Sequence, residues 1–406
     1  MDQNDPIAAA LGAVIETGEL AGAATLVWKN GQVVQTAAVG WRDMEAGVPM
    51  TRDSIFRIAS MSKPVTSLAA IMLLEEGAFA LDTPISDWAP EFRHMRVLRA
   101  PDGPLHESVP ATRPITFEDL LTHRAGLTYG DFHTGPLKAA YADALRGDID
   151  SEVEPDDWIA RLGGLPLIDQ PGAGFHYGCS TDLLGLLIAR IDGAPLGEVL
   201  ARRIFRPLGM TDTGFVVPEA ERHRRARMYG FDRNGKLLAK PGPVGALPER
   251  PADMAFESGG QGLWSTLDDY LAFARLFVGD GAVDGVRLLK PETLSLMTTN
   301  RLTEAQRSAT GMVAVAALGA GHGFGLGVAV VTDPEKATPL RGRGGLGTVG
   351  WPGAFGGWWQ ADPTDGSVMI LLTHNLIDLA LIDKGIGWGA YGAMMTFHGL
   401  ATAMTR

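Results

Sequence analysis

The strand-like segments of this 406-residue chain lie near its two ends, and a helical stretch separates them. The strand candidates are Ala23–Trp28, Val33–Val39, Gly325–Val331 and Ser367–Thr373. The first two flank Asn30-Gly31, a dipeptide typical of two-residue hairpin turns. Residues 86–250 instead show helical spacing, broken by loops rich in Pro and Gly. This order predicts an α/β (α+β) sheet domain of residues 1–85 plus 251–406, with a mainly helical domain of residues 86–250 inserted into it.

Helical periodicity predicts the remaining elements. The predicted helices are Ile7–Gly18, Ser60 to about Glu76, Trp158–Leu162, Leu183–Ile191, Val199–Ile204, Thr266–Phe277 and Leu379–Met404. Pro64 falls in the first turn of the second helix, where a missing N–H costs little, and Gly77 is placed to end it. We expect the sheet domain and the helical domain to pack tightly, with the binding site in the cleft between them.

Composition and charge restrict the class of protein. Hydrophobic residues make up 46% of the chain and charged residues 20%, which indicates a globular fold. The formal net charge of −12 argues against nucleic acid or an anionic membrane as partner. The N-terminus lacks the pattern of a signal peptide, and no apolar run reaches the ~20 residues of a membrane span. We therefore predict a cytoplasmic protein. A single cysteine and the absence of metal-binding spacings predict no disulfide, metal or cofactor.

One tetrapeptide is typical of a nucleophile that works without histidine. Of the eight lysines, only Lys63 has a serine, Ser60, three residues before it. Residues three apart share one face of a helix, so the Ser60 hydroxyl and the Lys63 amine can meet. Ser62 adjoins Lys63 and points elsewhere. Burial favours the neutral amine of a lysine, which can then accept the serine proton and activate the oxygen for attack on a carbonyl.

Two later motifs, taken in order with Ser60-x-x-Lys63, make the chain recognisable. Phe175-His176-Tyr177-Gly178-Cys179 comes just before the Leu183-Leu184-Gly185 helix, and Gly350-Trp351-Pro352-Gly353 lies near the C-terminus. With these motifs the chain resembles the serine hydrolases related to class C β-lactamases and penicillin-binding D-Ala-D-Ala peptidases. Among them it is most similar to family VIII carboxylesterases. The resemblance runs from about residue 7 to 375 and implies a mostly antiparallel sheet flanked by helices.

The resemblance implies a role for each matching residue. Ser60 would be the nucleophile that forms an acyl-enzyme, Lys63 would activate it, and Tyr177 would share in proton transfer. The oxyanion hole would consist of the backbone N–H groups of Ser60 and Ala354.

The chain departs from the β-lactamase pattern at two places. Cys179 stands where those enzymes have an asparagine, and it cannot hydrogen-bond a substrate amide in the same way. Trp351-Pro352-Gly353 replaces Lys-Thr-Gly, so the charge and hydroxyl that help to bind the drug's carboxylate are missing. These departures favour small neutral acyl esters as substrates. The predicted substrate-binding residues are Trp351, Gly353, Cys179, Tyr129, Phe132 and Phe355, several of them as an apolar wall, although Cys179 and Phe355 are equally compatible with core packing.

Several functions share this machinery. The most direct prediction is a serine carboxylesterase acting on a small-molecule ester. A peptidase or amidase for small or D-amino-acid peptides, a β-lactamase and an acyltransferase are alternatives with the same Ser-Lys-Tyr set. A catalytically inactive, penicillin-recognition-like binding module is the alternative outside enzymes.

Overall fold

The longer strands of the computed structural model lie towards the two ends of the chain. The model describes residues 5–242, 245–308, 319–337 and 344–405. In chain order the strands are β1 (Gly22–Lys29), β2 (Gln32–Asp43), β3 (Val48–Pro49), β4 (Phe56–Arg57), β5 (Arg96–Leu98), β6 (Ser108–Pro110), β7 (Tyr229–Phe231), β8 (Leu237–Ala239), β9 (Trp264–Ser265), β10 (Ala282–Val283), β11 (Val286–Arg287), β12 (His322–Phe324), β13 (Ala329–Val331), β14 (Val349–Pro352), β15 (Trp358–Asp362) and β16 (Ser367–Thr373).

Helices occupy much of the middle of the chain and both of its ends. They are α1 (Pro6–Glu16), α2 (Ser62–Glu75), α3 (Phe117–Leu121), α4 (Pro136–Leu145), α5 (Pro155–Gly163), α6 (Ser180–Asp192), α7 (Leu196–Leu200), α8 (Arg206–Leu208), α9 (Leu267–Ala274), α10 (Pro291–Thr298), α11 (Glu304–Ser308), α12 (Leu379–Ile382) and α13 (Trp388–Thr405). A π-helical turn, Ala201–Phe205, joins α7 to α8. No helix in the described ranges is long and apolar enough to cross a membrane.

Strands from both ends of the chain form one sheet, as the sequence predicts. Its eight strands are antiparallel in the order β12-β13-β14-β15-β16-β1-β2-β3. The hairpin β1–β2 turns at Asn30 and Gly31, which have φ angles of 48° and 90°. Positive φ at both positions is what a type I′ turn requires. Strand β16 pairs with the other side of β1. These two strands therefore lie inside the sheet, and most of their residues are buried.

Side chains alternate between the two faces of this sheet, and each face has its own helices. On one face, Val27 and Leu371 pack with α1 and α13 in a small core cluster. On the other face, Leu26 and Leu372 belong to the largest cluster, which includes residues of α2, α6 and α9. Helix α2, which follows the predicted nucleophile, is therefore held between the sheet and the helical region.

The division of the chain into a sheet domain and an inserted helical domain of residues 86–250 stays a prediction. Within the described part of residues 86–250, the only strands are the two short pairs β5–β6 and β7–β8. The largest core cluster is continuous across the predicted boundaries, because Leu68 of α2 and Leu184 of α6 both belong to it. Helix α6 packs against α2 and α3, and this packing brings residues near 130 and 180 to the start of α2.

Two predicted elements are interrupted by glycines. Gly325–Val331 is not a single strand: the Gly325 N–H donates to the Val328 carbonyl at 2.8 Å in a turn between β12 and β13. Gly327 has a φ of 88° there, and a Cβ on it would lie 2.1 Å from Ser67 Oγ. The predicted helix Leu379–Met404 is likewise divided into α12 and α13. Gly385 and Gly387, both with positive φ, separate the two.

Candidate active site

Ser60 lies on a buried turn at the start of α2. The turn Ala59–Met61 is a single 3₁₀ turn between β4 and α2, and Ser60 is 7% exposed. Ala59 has a φ of 46°, a left-handed conformation that costs a non-glycine residue about 1–2 kcal/mol. Such a conformation persists only where the surrounding packing holds the residue in place, and strained backbone of this kind is common beside reactive groups. The hydroxyl of Ser62 accepts from the Leu263 N–H at 3.1 Å, so it points away from this site, as predicted.

The amine of Lys63 is buried and has three hydrogen-bond partners. Its Nζ lies 3.4 Å from Ser60 Oγ, 3.0 Å from the Tyr129 hydroxyl and 2.9 Å from the Gly260 carbonyl oxygen. The carbonyl can only accept, so Nζ must donate to it. The Ser60 hydroxyl, unlike this carbonyl, can donate as well as accept. The arrangement therefore orients the amine for proton exchange with Ser60.

The backbone N–H of Gly260 is itself held by a buried carboxylate. Asp182, near the start of α6, accepts at Oδ1 from the Gly260 N–H at 3.0 Å and from the Ser258 hydroxyl. A Cβ on Gly260 would lie 2.6 Å from Asp182 Oδ2, so a side chain would push the segment away. Burial raises the pKa of Asp182, while the charge of Lys63 opposes the rise. Asp182 thus positions the carbonyl that orients Lys63.

Two tyrosines surround Lys63, and they make different contacts. The Tyr129 hydroxyl is the one within hydrogen-bond distance of Nζ, whereas the ring of Tyr177 lies with its centroid 4.7 Å from Nζ. The Tyr177 hydroxyl accepts a hydrogen bond of 3.1 Å from Trp351 Nε1. Burial, more than the nearby Asp182 charge, raises the pKa of Tyr129 well above its usual value, so its phenol keeps its proton. Tyr177 is only partly buried.

The segment around Ala354 is held against the Ser60 turn from both sides. A Cβ on Gly353 would lie 2.7 Å from the Ile58 carbonyl oxygen, and the side chain of Phe355 packs with Ala59. Within the described residues, the pairing of β14 with β13 ends at Gly350, so the last part of β14 is an edge beside the turn. The N–H of Ala354 has no acceptor among the described residues, while its carbonyl accepts from the Ile377 N–H at 3.1 Å.

The predicted substrate-binding residues differ in their exposure. Cys179 is 3% exposed, and burial raises its thiol pKa well above the usual value. Phe355 lies in a core cluster with Ile149 and Met228, so neither it nor Cys179 gains support as a pocket residue and both assignments stay predictions. Phe132 is 45% exposed and meets the Tyr129 ring edge-on, with centroids 5.6 Å apart.

Sequence reasoning missed three features of this site. It assigned no role to Asp182 or Gly260, and it gave Tyr129 an apolar rather than a hydrogen-bonding role. The available signals were weak: a charged residue just before the apolar run of α6, and a Gly-Gly pair before a strand. Trp351 was predicted only as part of an apolar wall, but its indole N–H also donates a hydrogen bond to the Tyr177 hydroxyl.

The chain is similar to known proteins over most of its length. The family model described as Beta-lactamase matches residues 7–379. Protein Rv1367c of Mycobacterium tuberculosis is 46% identical over 369 residues, which cover 91% of this chain and 89% of that protein. Esterase EstB of Burkholderia gladioli is 33% identical over 388 residues, with 91% of each chain covered.

A solved structure gives the same result for the fold. EstCE1, described as a hydrolase with promiscuous acyltransferase activity, has a TM-score of 0.76 and 27% identity, with 96% of this chain and 97% of that chain covered. The antiparallel sheet with flanking helices and the ordered sequence motifs agree with these matches. The chain belongs to the β-lactamase family of serine hydrolases, and an esterase is among its relatives in that family.

Proposed function

We propose that this protein is a serine carboxylesterase that forms an acyl-enzyme at Ser60. The observation that carries the proposal is the contact of the Lys63 amine with both Ser60 Oγ and the Gly260 carbonyl. A distance of 3.4 Å between amine and hydroxyl is long for a hydrogen bond, but such contacts commonly tighten when substrate binds. Lys63 is the nearest described base to the serine, and its orientation by a carbonyl suits repeated proton transfer.

The proposed reaction has two halves. Lys63 Nζ accepts the Ser60 proton while Oγ bonds to the ester carbonyl carbon, and the resulting oxyanion accepts hydrogen bonds from the N–H groups of Ser60 and Ala354. The alcohol leaves with a proton that passes from Lys63 by way of Tyr177. Water then attacks the acyl-enzyme, gives a proton to the same pair and releases the acid with Ser60 restored.

The chemistry around Trp351 supports esters with neutral acyl groups. A β-lactam carries a carboxylate that needs a cation or a hydroxyl, and Trp351-Pro352-Gly353 offers neither. The indole N–H, which is the single donor of the Trp351 side chain, already donates to the Tyr177 hydroxyl. The names of EstB and EstCE1, an esterase and a hydrolase, point in the same direction.

The test is a comparison of kcat/KM for p-nitrophenyl butyrate and for nitrocefin on the purified protein. We expect rapid ester cleavage and slow or undetectable β-lactam cleavage, each measured against a Ser60→Ala background. Comparable or faster nitrocefin cleavage would overturn the substrate assignment and favour a β-lactamase. Turnover of neither would direct attention to peptides or to a non-catalytic role.

Acyl transfer to an alcohol is a second candidate, because EstCE1 is described as having promiscuous acyltransferase activity. The acyl-enzyme is common to both reactions, and only the acceptor differs. Adding a short alcohol to the ester assay and measuring the ratio of new ester to free acid separates them. A ratio far above that expected from the alcohol and water concentrations favours transfer.

The two tyrosines are expected to contribute unequally. Tyr177→Phe should lower kcat/KM for p-nitrophenyl butyrate by ~10²-fold or more, because it removes the hydroxyl that passes the proton. Tyr129→Phe should cost less, about 10-fold, since its protonated phenol only helps to orient Lys63. Steady-state assays of both variants, with thermal unfolding as a folding control, decide the order. A larger loss in Tyr129→Phe would transfer the proton-relay role to Tyr129.

Gly353 tests the position of the oxyanion hole. Gly353→Ala places a methyl group 2.7 Å from the Ile58 carbonyl oxygen, so the segment that holds Ala354 must move away from Ser60. We expect kcat to fall by ~10²-fold, as for the loss of one oxyanion donor. Gly399→Ala is the matched control, because a Cβ there meets no atom within 4 Å. Equal activity in the two variants would argue against an oxyanion hole at Ala354.

A further inference from the structure

A cavity on the other side of Phe355 from the nucleophile turn is lined by basic side chains. It measures about 330 Å³. The basic residues that line it are Arg57, Arg222, Arg225, Arg227, Lys240 and His374. No Asp or Glu is among the described residues that line it. This volume is within the range of small-molecule sites, which usually begin at about 300 Å³.

The cavity is separate from the candidate active site. Phe355 lies between the two, since its ring meets the His374 ring edge-on at 5.6 Å and its side chain also packs with Ala59. Arg57 comes from β4 and Trp264 from β9, the paired strands that lead to the Ser60 turn and away from Gly260. A molecule in the cavity would therefore touch the supports of the active site without contacting the nucleophile.

Positive charge around the cavity exceeds the negative charge that neutralises it. Arg222 and Arg225 share one carboxylate, Glu249. Arg57 and Arg250 likewise share Asp150.

Arg227 and Lys240 complete the charge balance. Arg227 pairs with the acidic residues Asp43 and Glu45. The amine of Lys240 donates to the Phe231 carbonyl at 3.3 Å; Asp232 is near enough to interact with its charge, but Lys240 forms no ion pair in the described part of the chain. Such a surplus is unusual in a chain with a net charge of −12, and it makes the cavity attractive to anions.

Three buried polar atoms of the side chains that line the cavity have no hydrogen-bond partner among the described residues, and one of them is Arg222 Nε. Arg57 is 5% exposed, and its Nη1 is unpaired while Nη2 binds Asp150 at 3.2 Å. His374 is 4% exposed, and its Nε2 is also unpaired. Because His374 Nδ1 must donate to the Ala226 carbonyl at 2.7 Å, Nε2 of the neutral ring is an acceptor.

Leaving such groups unsatisfied is costly, and native proteins usually satisfy them. Burial, with smaller contributions from the charges of Arg225 and Arg250, lowers the pKa of Arg57, and burial lowers the pKa of His374 to about 3. A bound anion would reduce the cost of the buried guanidinium. An O–H group of a ligand would satisfy the neutral imidazole.

We propose that this cavity binds the phosphate group of a small phosphate ester. Arg57, Arg222, Arg225 and Lys240 supply several donors and more than one unit of surplus positive charge, which suits a phosphate dianion better than a single carboxylate. The remaining volume accommodates a short organic group, and a hydroxyl on it donates to His374 Nε2. The proposal does not depend on the esterase assignment, because no residue of the proposed reaction lines the cavity.

The experiment is a calorimetric titration of the Ser60→Ala protein with inorganic phosphate, glycerol 3-phosphate and acetate at constant ionic strength. The Ser60→Ala background keeps catalysis out of the measurement. We expect saturable 1:1 binding of glycerol 3-phosphate, tighter than that of inorganic phosphate, and little binding of acetate. Arg225→Gln should weaken glycerol 3-phosphate by ~10-fold or more, as expected for loss of a charge-assisted contact.

Arg275→Gln is a matched control in the same background. Arg275 and Arg225 each pair with one carboxylate and each lie over a tryptophan ring, at 5.1 Å and 5.6 Å, but Arg275 is outside the cavity. The control should bind as tightly as its parent. Three results would overturn the proposal: no saturable binding of either phosphate compound, equal weakening in both arginine variants, or acetate binding as tight as that of phosphate. Lys240→Ala, at a partly exposed residue, repeats the test if Arg225→Gln does not fold.

Discussion

Ser60→Ala is expected to lower kcat/KM for p-nitrophenyl butyrate by at least ~10⁴-fold, to near the rate of the uncatalysed reaction. Alanine removes the only atom that can form the acyl-enzyme in the proposed mechanism. The fold should survive, because Ser60 is small and its Oγ contacts the amine of Lys63 rather than a backbone group. Steady-state assays over a wide range of enzyme concentration measure the loss.

Ser62→Ala is a control at the first residue of α2, two positions after Ser60. Its hydroxyl is fully buried and accepts from the Leu263 N–H, so its loss should cost about 1 kcal/mol of stability and leave most of the activity. A fluorophosphonate probe followed by mass spectrometry locates the reactive serine directly. Labelling that persists in Ser60→Ala would place the nucleophile elsewhere in the chain.

Lys63→Met is expected to lower the same rate by ~10³-fold or more, because the serine loses its general base. Methionine keeps a similar length and removes the amine. The substitution leaves the Gly260 carbonyl without its donor, yet it also removes a buried amine, so the free energy of unfolding should change far less than the rate. Thermal unfolding and ester hydrolysis, measured on the same samples, separate the two effects.

Lys336→Met is the control for this variant, since the Lys336 side chain is 72% exposed and pairs with Asp333 at the surface. The rate of fluorophosphonate labelling should fall in Lys63→Met together with turnover, because both need an activated serine. Full activity in Lys63→Met would refute the mechanism, even if Ser60 proved to be the nucleophile.

Local patterns predicted much of the fold. The hairpin at Asn30-Gly31 requires positive φ at two positions, and few other dipeptides tolerate it, so the turn could be recognised from two residues. Strand β16 matches the predicted Ser367–Thr373 because a run of β-branched and apolar residues has few alternatives. The predicted strand Gly325–Val331 failed because Gly327 is needed for close packing against Ser67, which no local pattern reveals.

In the candidate site, too, local sequence fixes some contacts and tertiary packing fixes others. The sequence by itself determined that Ser60 and Lys63 lie close together at a helix start, because they are three residues apart. The structure begins α2 at Ser62, but positions three apart also share one side of the 3₁₀ turn that leads into it. Only the tertiary structure decided what else reaches the amine. Tyr129 is 66 residues from Lys63 along the chain and Gly260 is 197 residues from it. Contacts over such separations depend on how α2, α6 and the sheet pack, and packing is a property of the whole core rather than of any segment.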